Sequence, residues 1–552
     1  MFEGQPKGLW TLALANTGER FGYYTMLAVF ALFLGENFGF AAGTASEIYT
    51  WFLTAVYFLP LIGGMAADRW GYSKMVVIGI LIMFFGYLLL SVPLGSGTIA
   101  IAAMGAALLL VSLGTGLFKG NLQVMVGDLY NAPEFANKRD SGFSLFYMAI
   151  NVGALFAPTA AISIMDWAQT SLGYSKADSY HFAFAVACVS VIVSILIYFL
   201  GRSTYKQVLT VKKEQGAGSK EQEKVEEMSP AETRERIVCL CLVFAVVIFF
   251  WMAFHQNGLT LTWFADEFTA RSATGITGME FNVMNLIWCI LIIYGLFGLF
   301  QGSSTKSKDF FTMITLAAGG LLLYRSNIIT SDSTNLVAIV VAMTGLFCLR
   351  LSDSSFGKIL SSLLIFAPAG ILMYNASNLT GSVTVDAPIF QQFNPCFVVA
   401  LTPVSIALFG WLGKKGKEPK APVKIGLGML VAACAYLLMT VSSIGLPATD
   451  HPNHVYDFNP NLLVSTYLIL TFAELLLSPI GISFVTKVAP PKYKGMMMGG
   501  WFVATALGNK LVSIPGHMWD MPLYIVWGTL MGICLLAALF IFSIIKKLNK
   551  VA

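Results

Sequence analysis

Charge is scarce in this chain. Lys, Arg, Asp and Glu together make up 11% of its 552 residues, whereas an ordinary soluble domain carries about 25%, and the deficit excludes a water-facing globular surface over most of the length. Histidine is scarcer still, with 5 residues. Eight cysteines are present, at 188, 239, 241, 289, 348, 396, 434 and 534, but they form no CxxC pair and have no histidine at ligand spacing. That pattern argues against a metal centre and reads as packing thiols. Also missing are the roughly ten-residue segments of alternating polarity that build a transmembrane barrel. No nucleophile-base set at one depth, as a membrane enzyme would need, is visible. The net charge of +5 is modest, and much of it lies in loops where it orients a membrane protein; no nucleic-acid partner is indicated.

What fills the chain instead is apolar sequence. Residues of that class reach 57%, with a mean hydropathy of +0.73, and runs of 16 to 25 recur from end to end. Runs of that length span about 30 Å of hydrocarbon as helices, the form that pairs its own backbone in lipid. The fold class is therefore an all-α polytopic membrane protein. Ala13-Leu14-Ala15 resembles a signal cleavage site, but too few apolar residues precede it, and a retained first helix is expected.

Six spans are expected near 8–36, 45–67, 74–94, 98–128, 143–166 and 181–201, the N-terminal bundle of residues 1–201. Residues 202–235 are dense in Lys, Glu, Arg and Gly and read as a solvated cytoplasmic linker. One span follows at 236–264, then four apolar segments near 284–302, 309–324, 334–349 and 356–374, and five more between 392 and 546. Residues 265–390 are thus an insert of two to four spans. Residues 236–264 and 391–552 are the second six-helix bundle, and 6+6 halves are a transporter architecture. Cations such as Arg69, Lys74, Lys138 and the Lys414–Lys420 cluster fall on one side, which sets both termini in the cytoplasm.

The stretch NTGERFGYY (16–24) places ionisable groups inside the first span. Positions 16, 19, 20 and 23 share one helical face, so Asn16, Glu19, Arg20 and Tyr23 form a polar stripe, while Gly18 and Gly22 open another face to close helix approach. Lys119, His255 and Glu474 are at depth in three further spans. Burying Glu19, Arg20, Lys119 and Glu474 costs on the order of 10 kcal/mol on insertion scales. A structural ion-pair network is one reading; a substrate pathway is the stronger one, since buried pairs are weak stabilisers. Two cations in one half and a carboxylate in the other suit a zwitterion such as an amino acid or short peptide. Tyr23, Tyr24, Tyr57, Trp251 and Trp501 are available as apolar walls.

Several separated segments are similar to one family. FYMAINVGALFAP (146–158) resembles the signature of the proton-dependent oligopeptide transporters, a branch of the major facilitators. ERFGYYTM (19–26), GGMAADRWGYSK (63–74), GTGLFKGN (114–121), FNPCFVVALTP (393–403) and ELLLSPIGISFVTKVAP (474–490) resemble its other motifs in the same order. The resemblance implies proton-driven uptake of di- and tripeptides by alternating access; the expected setting is a bacterial cytoplasmic membrane, with lipids and protons as partners and a monomeric chain. No cofactor is expected, the proton gradient being the driving force. It also implies residue roles. Arg20 and Lys119 would hold the peptide carboxylate, and Asn151, Asn394 and Glu474 its amino terminus. Tyr23, Tyr24, Tyr57, Trp251 and Trp501 would line side-chain pockets with Ser478 nearby, and Asp68, Arg69 and Lys74 would form a gating loop. Two positions depart from the family pattern: Asn16 and His255 stand where acidic residues are usual. Proton coupling is accordingly assigned to Glu19, Arg20, His255 and Glu474. Gly120 replaces a proline that commonly follows the lysine.

Overall fold

The computed structural model describes residues 4–135, 138–206, 208–209, 228–301, 304–326, 328, 333–446, 457–490 and 493–551. Most of the linker, and His451 and His454, lie outside the described residues. The first half contains α1 (Lys7–Phe38), α2 (Ala42–Trp70), α3 (Tyr72–Leu90), α4 (Thr98–Asp128), α5 (Arg139–Leu172) and α6 (Lys176–Leu200). Local chemistry sets their ends. The α1 helix stops at Gly39, whose φ of 66° lets its N–H return to the carbonyls of Leu34 and Gly35. The Ser175 hydroxyl caps α6 by accepting from the Asp178 N–H.

Beyond the linker come α7 (Pro230–Phe254), α8 (Thr260–Phe268), strand β1 (Ser272–Thr274), α9 (Gly275–Glu280), α10 (Val283–Gln301), α11 (Thr305–Arg325), α12 (Ser333–Leu351), α13 (Ser355–Ser377) and β2 (Ser382–Thr384). The chain ends with α14 (Phe393–Lys414), α15 (Ala421–Ser442), α16 (Pro460–Val488), α17 (Lys494–Leu511), α18 (Ser513–His517), α19 (Leu523–Ser543) and α20 (Ile545–Val551). Ser229 caps α7 ahead of Pro230, and Asn459 caps α16 ahead of Pro460, both prolines sitting where the helix has no N–H to lose.

All sixteen expected spans are helical. Thirteen of the described helices are long and apolar enough to cross a membrane. The other three, α1, α11 and α17, carry charged or amide residues that dilute the apolar run. Each half packs its own core: Leu12, Phe30, Val56 and Phe118 belong to the first, and Phe250, Met429, Leu470 and Trp527 to the second. Small residues set the spacing between helices. A Cβ on Gly63 would meet the Gly116 carbonyl at 2.1 Å, so α2 and α4 touch backbone to backbone.

The halves are joined away from the linker. There Gln391 Nε2 donates to the Ala28 carbonyl at 3.1 Å, Thr159 donates to Gln392 at 3.0 Å, and Lys510 on α17 pairs with Glu47 on α2. On the linker side Asp68, Arg69 and Trp70 are exposed.

The insert contains the four long helices α10 to α13, of which α10, α12 and α13 are long and apolar enough to cross a membrane. It hangs from the short antiparallel ribbon of β1 and β2, with Ser272 opposite Thr384 and Thr274 opposite Ser382. α10 packs on α14 and touches α5; α10 pairs closely with α11, and α12 with α13, whereas the two hairpins touch each other only lightly.

Candidate functional site

The α1 stripe forms a closed ion pair. Arg20 Nε donates to Glu19 Oε2 at 2.5 Å and Nη2 donates to Oε1 at 2.6 Å. Glu19 is 0% and Arg20 3% exposed. Two parallel charge-assisted bonds take two of the five N–H donors of the buried guanidinium, whose central carbon lies 4.8 Å from the centroid of the Tyr23 ring. The expected close approach on the opposite face is present. A Cβ on Gly22 would stand 2.4 Å from Ser190 Oγ, and Ser190 donates to the Gly18 carbonyl at 3.0 Å.

Lys119 on α4 has its ammonium 4.2 Å from the centre of the Tyr57 ring on α2, an attractive cation-π geometry. It is within electrostatic reach of Glu19 and Arg20, but no carboxylate and no hydrogen-bond acceptor among the described residues contacts it. His255 sits where α7 ends and a 3-10 turn, His255–Gly258, begins. Its Nδ1 is 2.5 Å from Asn509 Oδ1 on α17. Its ring stacks on Trp251 at 4.9 Å and lies 5.8 Å from Tyr57.

On the other side, Glu474 Oε2 accepts from Asn394 Nδ2 at 2.9 Å, and the same amide is 3.0 Å from Thr471 Oγ1. The carboxylate of Glu474 and the guanidinium of Arg20 both act electrostatically on Tyr24 and Tyr57. These two tyrosines are therefore within electrostatic range of both the cationic pole of the first half and the anionic pole of the second. Together the contacts assemble Glu19, Arg20, Tyr23, Tyr24, Tyr57, Lys119, Trp251, His255, Asn394 and Glu474.

Other expected residues stand apart. Asn151 Nδ2 donates to the Tyr147 carbonyl of its own helix at 3.1 Å. Trp501, 2% exposed, packs against Gly481 inside the second half. Ser478 is half-buried one turn along α16 from Glu474. Asp68, Arg69 and Lys74 lie at the linker end, where Asp68 accepts from the Tyr72 hydroxyl at 2.6 Å and Lys74 lines a separate cavity with Asp128 and Arg202.

Two features were not anticipated. Asn509, fully buried, fixes His255; it was visible as a lone amide in ATALGNKL. The Glu47–Lys510 pair, with His517 Nε2 3.7 Å from Glu47 Oε1, bridges the halves. Both of its members sit toward helix ends, and their meeting depends on how the bundles dock.

Comparison with known proteins now bears on this geometry. The model of the POT family matches residues 73–222 and 356–521, more than half of the chain. The uncharacterized transporter YclF of Bacillus subtilis is 26% identical over 560 residues, covering 100% of this chain and 96% of that one. A di-/tripeptide transporter of Lactococcus lactis subsp. cremoris is 26% identical over 521 residues, covering 92% and 89%. The crystal structure of a peptide transporter POT in complex with sulfate superposes with a TM-score of 0.67 at 22% identity, covering 100% and 96%. The fold is that of the major-facilitator transporters.

Proposed function

Because this chain belongs to the POT family, we propose that it imports di- and tripeptides by alternating access with proton symport, as a monomer in a bacterial cytoplasmic membrane with both termini inside. Its relatives are transporters rather than enzymes. The observation that carries the reading is the bipolar cluster: Arg20 and Lys119 in one half, Glu474 in the other, Tyr24 and Tyr57 within electrostatic range of both Arg20 and Glu474, and Lys119 over the Tyr57 ring. A peptide backbone is a carboxylate and an ammonium held apart by an apolar middle, and each end matches a pole of opposite charge.

Glu19 occupies two of the donors with which Arg20 would hold a carboxylate. A proton on Glu19 removes that competition and releases the guanidinium fork to substrate, so proton and peptide bind together. Lys119, without an acceptor of its own, completes the carboxylate site. Glu474 exchanges Asn394 for the peptide amine. His255 supplies a second titratable group, within electrostatic range of Lys119. On this reading, the contacts that close the halves away from the linker are the ones the cycle must break to open the site on that side.

Uptake of a labelled dipeptide into proteoliposomes tests this. Accumulation above equilibrium is expected only with an inward proton gradient. Equilibration that ignores the gradient would remove the coupling and leave recognition standing. Movement of free solutes with no movement of dipeptide would remove the substrate reading.

A further inference from the structure

The insert encloses space of its own. Its two hairpins splay apart around a cavity of about 710 Å³, within the range that holds a small organic ligand. The body of the cavity is hydrocarbon, lined by residues such as Leu296, Leu323, Met343 and Met373. Gly319 and Gly320 also face it, and a Cβ at either would meet nothing within 4 Å. One end differs. Glu280, the last residue of α9, and Asn285, in the first turn of α10, both line the cavity there. Asn285 is 8% exposed, and its Nδ2 donates to the Met279 carbonyl at 2.9 Å, while its Oδ1 is buried without a donor. Glu280 Oε2 is buried without a donor as well.

Two unmet acceptors, one of them a carboxylate, at the end of an apolar chamber define a ligand by exclusion. A fatty acid would set like charge against Glu280. A neutral hydrocarbon would leave both oxygens unsatisfied, which is the costly arrangement for a buried polar group. A group that donates several hydrogen bonds and carries positive charge answers both oxygens, and an attached alkyl chain fills the remainder. We propose that the insert binds a primary ammonium bearing a long apolar chain, its head on Glu280 Oε2 and Asn285 Oδ1 and its tail between the hairpins. Burial pushes the Glu280 carboxyl up to about 7, so an arriving cation would draw it into the ionised form and release a proton. The site is separate from the central cluster and does not rest on the peptide reading.

Cys289 lines the same cavity and is an exposed thiol, which supplies a reporter. The full chain carrying Cys241→Ser, Cys348→Ser and Cys434→Ser, in phosphatidylcholine nanodiscs, is alkylated with N-ethylmaleimide in the presence of dodecylamine or dodecan-1-ol. Dodecylamine is expected to slow labelling of Cys289 about tenfold, as suits a charged hydrogen bond, and the alcohol to leave the rate nearly unchanged. Glu280→Gln should abolish the protection. Gly319→Phe, which fills the tail space and keeps the carboxylate, should abolish it too. Each variant is compared with its own unliganded rate and checked for a monodisperse elution profile. Equal protection by amine and alcohol, or protection that survives Glu280→Gln, overturns the proposal. Protection by phosphatidylethanolamine in the bilayer, without added amine, would assign the head group to a lipid. Protection by dodecylamine alone would assign it to a single-chain amine.

Discussion

The central cluster and the insert handle the same problem, a carboxyl group in apolar surroundings, in opposite ways. In the cluster Glu19 is clasped by Arg20 and Glu474 by Asn394, and His255 is held by Asn509. In the insert Glu280 has an oxygen with no donor at all. A charge with an exchangeable partner can be switched, since substrate or proton can take the partner's place at modest net cost. A charge with no partner weakens the fold until something from outside answers it. The pattern of pairing therefore separates groups that work in a cycle from a group that waits for a resident ligand.

The largest expected effect would break the comparison if absent. Lys119→Ala or Glu474→Gln should each lower peptide uptake in proteoliposomes by about 100-fold, the scale of losing one buried charged contact to substrate. Glu280→Gln should leave uptake within about twofold. Equal losses at all three positions would mean that the insert shares the central chemistry. A smaller effect sharpens the cluster's side. Asn509→Leu frees His255, and uptake should fall about tenfold with a displaced pH profile, the sign of a positioning residue acting through the imidazole. An unchanged profile would reduce Asn509 to packing.

The smallest effect concerns stability. Glu280 titrates near 7 in the fold against 4.5 for the unperturbed group. The folded state therefore holds more protons than the unfolded state between those values, and stability falls as pH rises through that window. Glu280→Gln lacks this loss. The variant should unfold a few degrees above the parent in detergent at pH 8 and match it below pH about 4.5. A constant difference across pH would show that the carboxyl is solvated.

Much of the fold was legible because membrane burial writes itself into composition: the sixteen apolar runs are helical, the one at 236–264 broken at His255–Gly258, and the charges interrupting them marked the cluster. Side-chain decisions were not legible. Helical projection puts Glu19 and Arg20 on one face, but their spacing does not show that they clasp each other rather than partners on other helices. Trp501 shares its type with Trp251, yet Trp251, one turn before His255, stacks on it, while Trp501 packs against Gly481 on α16. The insert's helices were readable, but the cavity arises from the splay of two hairpins, and no residue within either hairpin encodes that angle.

The ribbon of β1 and β2 sets Thr274 beside Ser382 at its last rung. The chain therefore leaves the body of the protein and returns to it at one spot, so that a tight turn joining those two residues would close the path without re-threading any helix of the twelve. Topologically the four-helix appendage is a cassette, attachable or removable through a single doorway, while the machine behind the door keeps its own wiring.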